Sequence, residues 1–199
     1  MKEKINKNLL PYNGQVILHK QVLNAAMAVH YFEWLMDSIQ WRSDEVFMYG
    51  KKIITKRKMA WYSTGDLKYT YSGITRSPYF FTDELFELKT LVESFCKESF
   101  NSCLLNLYHN GNEGMGWHSD NENSIIKGST IASVSLGAAR AFLFRHKSTK
   151  EKVSVWLESG SLLLMQGSTQ EYWQHALPKT AKDPGPRINL TFRNMVEAY

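Results

Sequence analysis

RINLTFR, residues 187–193, alternates polar and apolar side chains with a period of two. On an extended strand Arg187, Asn189, Thr191 and Arg193 share one face, while Ile188, Leu190 and Phe192 share the other. Two arginines, an amide and a hydroxyl on one face, backed by three apolar residues, are unusual for a core strand. Two placements are open: an edge strand with its arginines in water, or an inner strand whose polar face lines a pocket. In the second the guanidinium groups need anionic partners, because arginine cannot shed its charge and burying it unpaired is very costly. A dicarboxylate would match them, since guanidinium grips carboxylate through a two-pronged fork that fixes direction as well as charge.

Moving back along the chain, further short β-type runs fall at 103–108, 130–136, 141–144, 153–157 and 161–165, separated by turn residues. The expected fold is mainly β with flanking helices, and a double-sheet jelly roll with its site at the mouth is one such solution. Before residue 100 the period changes. Leu23, Ala26, Met27, Tyr31, Trp34, Leu35 and Ile39 recur at helical spacing, as do Leu85, Leu88, Val92 and Phe95. Thr82 is placed to cap the second helix, with Asp83 and Glu84 in its first turn. Between the helices KKIITKRK, residues 51–58, precedes Trp61, Tyr62, Tyr69 and Tyr71, so basic and aromatic residues interleave. We therefore expect a single domain over 1–199, with residues 1–100 as an extension packed on a β-core at 101–199.

Composition sets the outer bounds. A chain of 199 residues with 43% apolar content can bury one sizeable core. The formal charge of +5 favours an anionic partner but is too mild to name one. Cys96 and Cys103 make neither a disulfide framework nor a CxxC metal motif and suit a reducing cytoplasm. No run approaches the roughly 18 apolar residues of a membrane span, and no cleavable leader is evident, so the expected setting is cytoplasmic. Neither a membrane nor a protein partner is indicated, and a monomer is expected.

His118 and Asp120 stand two apart, and His175 follows more than fifty residues later. Two imidazoles and one carboxylate can hold a divalent iron on one face and leave the opposite positions free for a co-substrate and oxygen. In an extended GWHSDNE segment His118 and Asp120 point the same way. His175 lies in EYWQHALP, where a strand end would return it to the mouth of the roll. An HxD pair alone is weak, and the polar face of 187–193 raises its weight. Asn106 and Tyr108 also share a strand face, which by itself fits an ordinary wetted strand equally well.

Taken in order, NLY at 106–108, WHSDNE at 117–122, IASVSLG at 131–137, FRH at 144–146, His175 and RINLTFR closely resemble the AlkB family of Fe(II)- and 2-oxoglutarate-dependent dioxygenases. The similarity is greatest to the branch that repairs alkylated nucleobases, through YTYSG at 69–73 and the basic stretch before it. The resemblance implies His118, Asp120 and His175 as catalytic iron ligands. It implies Asn106, Tyr108, Arg187, Asn189, Thr191 and Arg193 around 2-oxoglutarate, with Arg187 on the distal carboxylate. On the substrate side it implies Asn121 and Glu122 at the damaged base, Arg145 at the pocket wall, and Tyr69 and Tyr71 in a nucleotide-recognition lid. Tyr49 and Lys51 fall where relatives carry a helix-probing hairpin, and Lys51, Lys52, Lys56, Arg57 and Lys58 would meet phosphates. The run of bases has a plainer reading, a solvated loop or a lysine-protected edge strand.

The chemistry so implied is oxidative dealkylation of bases such as 1-methyladenine and 3-methylcytosine in DNA or RNA. Fe(II), O2 and 2-oxoglutarate are consumed to give succinate and CO2, and the methyl group leaves as formaldehyde. Three rivals remain: the same oxygenase chemistry on a protein or small molecule, a non-catalytic nucleic-acid-binding relative, and a hydrolytic zinc enzyme. The last gives the paired arginines no purpose, and the second gives none to a complete ligand set.

Overall fold

A computed structural model describes residues 7–48, 51–65, 67, 69–71 and 74–196, with the backbone alone at 44–48, 51–53, 69–71 and 74–76. The elements in chain order are β1 (Gln15–His19), α1 (Ala25–Ser38), β2 (Arg42–Met48), β3 (Lys51–Ser63), β4 (Tyr69–Tyr71), β5 (Ile74–Arg76), β6 (Tyr79–Phe80), α2 (Asp83–Cys96), β7 (Ser102–Tyr108), β8 (Met115–His118), β9 (Ile131–Gly137), β10 (Arg140–His146), β11 (Lys152–Leu157), β12 (Ser161–Gln166), α3 (Thr169–Tyr172), β13 (Trp173–Leu177) and β14 (Arg187–Arg193). The main sheet runs β1-β12-β9-β14-β7-β3-β2, with β6 beside β3. A smaller sheet runs β11-β10-β13-β8, and β4 pairs with β5 apart from both. This is the jelly roll.

β14 lies between β9 and β7, paired with both from Arg187 to Phe192, so the RINLTFR strand is central and the edge-strand alternative is overturned. Its apolar face does what the alternation dictates. Ile188, Leu190 and Phe192 join Leu105 and Leu107 of β7, Val134 and Leu136 of β9, Leu35 of α1, and Leu85, Leu88 and Val92 of α2 in one cluster. Each large apolar side chain buried there contributes about 1.5–3 kcal/mol relative to exposure. The helices thus cover one face of the main sheet. Asn24 caps α1 by accepting from Met27 N–H at 3.0 Å, and Thr82 caps α2 by accepting from Leu85 N–H at 3.3 Å. α2 ends where Lys97 takes a left-handed φ of 57°.

The other face of the main sheet meets the smaller sheet, and its character changes from strand to strand. At the β12 end the filling is apolar: Val16, Ile131, Leu163 and Met165 pack on Phe144, Val155, Leu157 and Trp173. Toward β14 the same layer carries Ser133, Ser135, Asn106, Thr191 and Arg187, all buried. A sandwich interior that turns polar at one end places the site there. The first hundred residues contribute β1, β2, β3 and β6 to the main sheet. Among the described residues no helix is long and apolar enough to cross a membrane.

Candidate active site

The β8–β13 pairing sets two histidines opposite each other. His118 is the register partner of His175, with ring centroids 4.3 Å apart. His175 therefore sits inside β13 rather than at a strand end, and the register slips immediately after it. β8 stops at His118, and the chain then turns so that buried Asp120 brings Oδ1 to 3.8 Å from His118 Nε2. One donor atom from each of the three residues lies within 4.8 Å of the others. His118 Nδ1 is 2.8 Å from the Gly116 carbonyl, which can only accept, so Nδ1 carries the proton and Nε2 offers its lone pair.

Electrostatics keep the ligand atoms available. Burial pushes the Asp120 carboxyl up, but Arg193, His175 and His118 together outweigh it and hold it below the ordinary carboxylate range. Arg193 Nη2 is 3.1 Å from Asp120 Oδ2, which leaves Oδ1 toward His118. Burial, and then the neighbouring His118, drive His175 down to about 3 against the pull of Asp120, so its imidazole is neutral at physiological pH. A neutral imidazole and an ionised carboxylate are the forms that bind metal.

Arg187 lies deeper in the same pocket, beside Tyr108, its register partner on β7. Its Nη2 donates to Ser135 Oγ at 2.9 Å and its guanidinium lies 5.6 Å from the Tyr108 ring centre. Burial pushes it down from 12.5 to about 10, with Arg140 adding to the effect and Tyr108 opposing it. Its Nε is buried with no hydrogen-bond partner, and among the described residues no carboxylate pairs with it. Asn106 lines the pocket from β7. Asn189 and Thr191 line it too, but Asn189 spends its amide on Ser133 Oγ (2.8 Å) and the Val134 carbonyl (2.9 Å) and accepts from Thr191 Oγ1 at 3.2 Å.

The substrate-side residues scatter more widely. Arg145 is on the opposite face of the smaller sheet from the pocket. Strand alternation puts Phe142 and Phe144 inward against His175, while Arg145 stacks 4.3 Å from the Trp117 ring and donates to Gln174 at 2.8 Å. Trp117 and Gln174 directly precede the two histidines, so this trio backs them from outside. Asn121 is exposed and Glu122 half-buried in the loop after Asp120. Arg57 on β3 is buried and donates to Met115 Sδ at 3.1 Å, and Met115 lines the pocket. Tyr69 and Tyr71 lie on β4 and Lys51 begins β3, their side chains outside the description, and Tyr49 lies outside the described residues. Ser133 and Ser135, not singled out from sequence, fix Asn189 and Arg187. Their signal was present in IASVSLG, where serines alternate with Ala132, Val134 and Leu136.

Two histidines and one carboxylate at one end of a jelly roll, with the buried Arg187 behind them, suit iron and a dicarboxylic co-substrate. That combination defines a class, the non-haem iron oxygenases. Comparison with known proteins agrees: the 2OG-Fe(II) oxygenase superfamily matches residues 15–193. The DNA oxidative demethylase ALKBH2 of Homo sapiens is 38% identical over 176 residues, 84% of this chain and 65% of its own length. The alpha-ketoglutarate-dependent dioxygenase alkB homolog 3 of Bos taurus is 40% identical over 174 residues, 82% of this chain and 60% of its own. A solved structure titled "The structure of OsALKBH1" superposes with a TM-score of 0.66 at 19% identity, covering 90% of this chain and 97% of that one, and shows the shared fold. The chain belongs to the 2OG-Fe(II) oxygenase superfamily, in its AlkB family. It spans about three fifths to two thirds of the length of these curated relatives.

Proposed function

We propose that this protein is an Fe(II)- and 2-oxoglutarate-dependent dioxygenase that removes alkyl groups from nucleobases in DNA or RNA. One observation carries the reading: the His118–Asp120–His175 cluster and an Arg187 without a described carboxylate partner face the same pocket. His118 Nε2, Asp120 Oδ1 and a nitrogen of His175 would hold the metal. Arg187 would take the distal carboxylate of 2-oxoglutarate, with Asn106 and Tyr108 alongside it. When bound, iron with 2-oxoglutarate and O2 supplies hydroxylation of a C–H bond, with succinate and CO2 as co-products.

The protein's own part is geometric and electrostatic. Arg193 neutralises Asp120 and selects the oxygen it presents. Ser135 and Tyr108 hold Arg187 in one orientation, so a dicarboxylate meets its charge in a fixed direction. Phe142, stacked on His175 with centroids 5.3 Å apart, excludes water from one side of the cluster. A methyl group on a base-pairing nitrogen is a poor leaving group, which is why oxidation serves where hydrolysis is slow. Once hydroxylated, the N–CH2OH adduct gives up its hydroxyl proton to solvent, the C–N bond breaks with its electron pair going to the ring nitrogen, and formaldehyde leaves.

A base must leave the stack to present that methyl, at a cost of about a few kcal/mol that is least for lesions already unable to pair. We assign Tyr69, Tyr71, Asn121, Glu122, Arg57, Lys51 and Tyr49 to the strand and the flipped base. Arg145 acts from the outer face, through Trp117 or a passing backbone. We read the chain as one domain working as a monomer, and its two free thiols, Cys96 and Cys103, support a cytoplasmic setting. The test is purified protein with Fe(II), 2-oxoglutarate and ascorbate on single- and double-stranded oligonucleotides carrying 1-methyladenine or 3-methylcytosine. Restored base in the wild type and none in His118→Ala is expected. No restored base on any DNA or RNA substrate, with iron bound, would refute the nucleic-acid assignment.

A further inference from the structure

Asp120 is the one ligand candidate that stands off the β-ladder. β8 ends at His118, so no strand pairing fixes the Asp120 backbone. Its N–H donates instead to Gln170 Oε1, 3.0 Å away and fifty residues on in sequence. The far end of that amide is also engaged: Gln170 Nε2 donates to Met165 Sδ at 3.5 Å, and Met165 lines the pocket. The amide cannot be reversed without setting an NH2 group against the Asp120 N–H.

The element that carries Gln170 is itself held from three sides. Thr169 Oγ1, at the start of α3, accepts from Gln15 N–H at 2.9 Å and donates to the Gln166 carbonyl at 2.6 Å. Lys147 Nζ donates to the Gln170 carbonyl at 2.9 Å. Ser119 Oγ donates to the Trp173 carbonyl at 2.9 Å, pinning the residue before Asp120 to β13. The position of Asp120 is thus referred to β1 and β12 through the single side chain of Gln170.

We propose that Gln170 is a positioning residue of the metal centre, setting the reach of the Asp120 carboxylate by holding the Asp120 N–H. Arg193 then decides which carboxylate oxygen is presented, and Gln170 decides where. The inference rests on the assignment of His118, Asp120 and His175 as metal ligands.

Cobalt(II) alone is the probe, added to the metal-free full chain, with Gln170→Leu removing the acceptor and Gln170→Glu restoring one. Groups that orient metal ligands cost about 10- to 100-fold in affinity when removed. Gln170→Leu is expected to weaken Co(II) binding roughly tenfold and shift the cobalt absorption bands, with Gln170→Glu staying within about threefold of wild type. In the metal-free protein, amide exchange at Asp120 speeds up in Gln170→Leu alone, a readout that needs no metal. Wild-type affinity in Gln170→Leu overturns the proposal, and so does equal weakening in both variants. If Gln170→Leu fails to fold, weak binding by folded Gln170→Glu overturns it. Equal Co(II) binding by wild type and His118→Ala would instead sink the ligand assignment itself.

Discussion

Replacing Arg187 by methionine separates the cost of a buried charge from the use made of it. Arg187 is 2% exposed, and burial lowers its pKa from 12.5 to about 10. At pH 7 arginine is protonated in the folded and unfolded chain alike, so the penalty is present in full and is relieved only as pH rises past 10. At about 1.36 kcal/mol for each tenfold change, that penalty is about 3 kcal/mol. Against it stands the Ser135 hydrogen bond, made by a charged donor and worth about 1.5–3 kcal/mol, since the opposing effect of Tyr108 is already contained in the lowered pKa. Methionine fills similar length without charge. The variant, free of metal and co-substrate, should therefore be at least as stable as wild type and up to about 1.5 kcal/mol more stable, raising Tm by up to roughly 6 °C. Manganese(II) and 2-oxoglutarate should reverse the order. Wild type gains about 2.7 kcal/mol at a hundredfold excess of ligand over Kd. The variant gains little from 2-oxoglutarate, having lost charged hydrogen bonds worth about 1.5–3 kcal/mol each. Urea unfolding with and without the two additives reads both effects. A variant less stable than wild type without ligand, or one that gains as much from 2-oxoglutarate, would rule out this role for Arg187.

Two further outcomes probe the scaffold. Burial pushes the Cys103 thiol far up, and Cys103 is fully buried, so a thiol reagent such as Ellman's should label it only on unfolding while half-buried Cys96 reacts slowly in the native protein; native labelling of Cys103 would contradict the core packing. Gly111→Ala would drive a Cβ into the Lys182 carbonyl and to 2.6 Å from that of Thr180, so the loop between β7 and β8 must move and urea unfolding should show a loss of about 1–3 kcal/mol of stability, typical of overpacking.

Much of this architecture was readable because alternation is unambiguous where both faces of a strand have work to do. RINLTFR showed its two faces, and both proved buried, the apolar one under the helices and the polar one in the pocket. Sequence alone could not choose between an edge and a central position for it, since that depends on which strands flank it. The HxD pair was visible, but not that β8 stops between its members and that Asp120 is steadied by Gln170, fifty residues away. His175 was expected at a strand end. It lies within β13, because the His118 pairing and the register slip after it, rather than chain order, aim it into the pocket. Arg145 shows the limit most plainly: its motif was evident, yet strand parity turned its side chain to the outer face. The strands β1 and β2 carried no periodic signal strong enough to be read, being short or flanked by polar residues, and it is sheet pairing that defines them.

On the proposed function, one pocket couples 2-oxoglutarate turnover to removal of an alkyl group from a base. The most direct measurement counts succinate, formaldehyde and restored base in the same reaction, with a 3-methylcytosine oligonucleotide as substrate. The three are expected in about equal amounts, all lost in His118→Ala. Succinate formed at an unchanged rate with or without the oligonucleotide, and no formaldehyde, would contradict it.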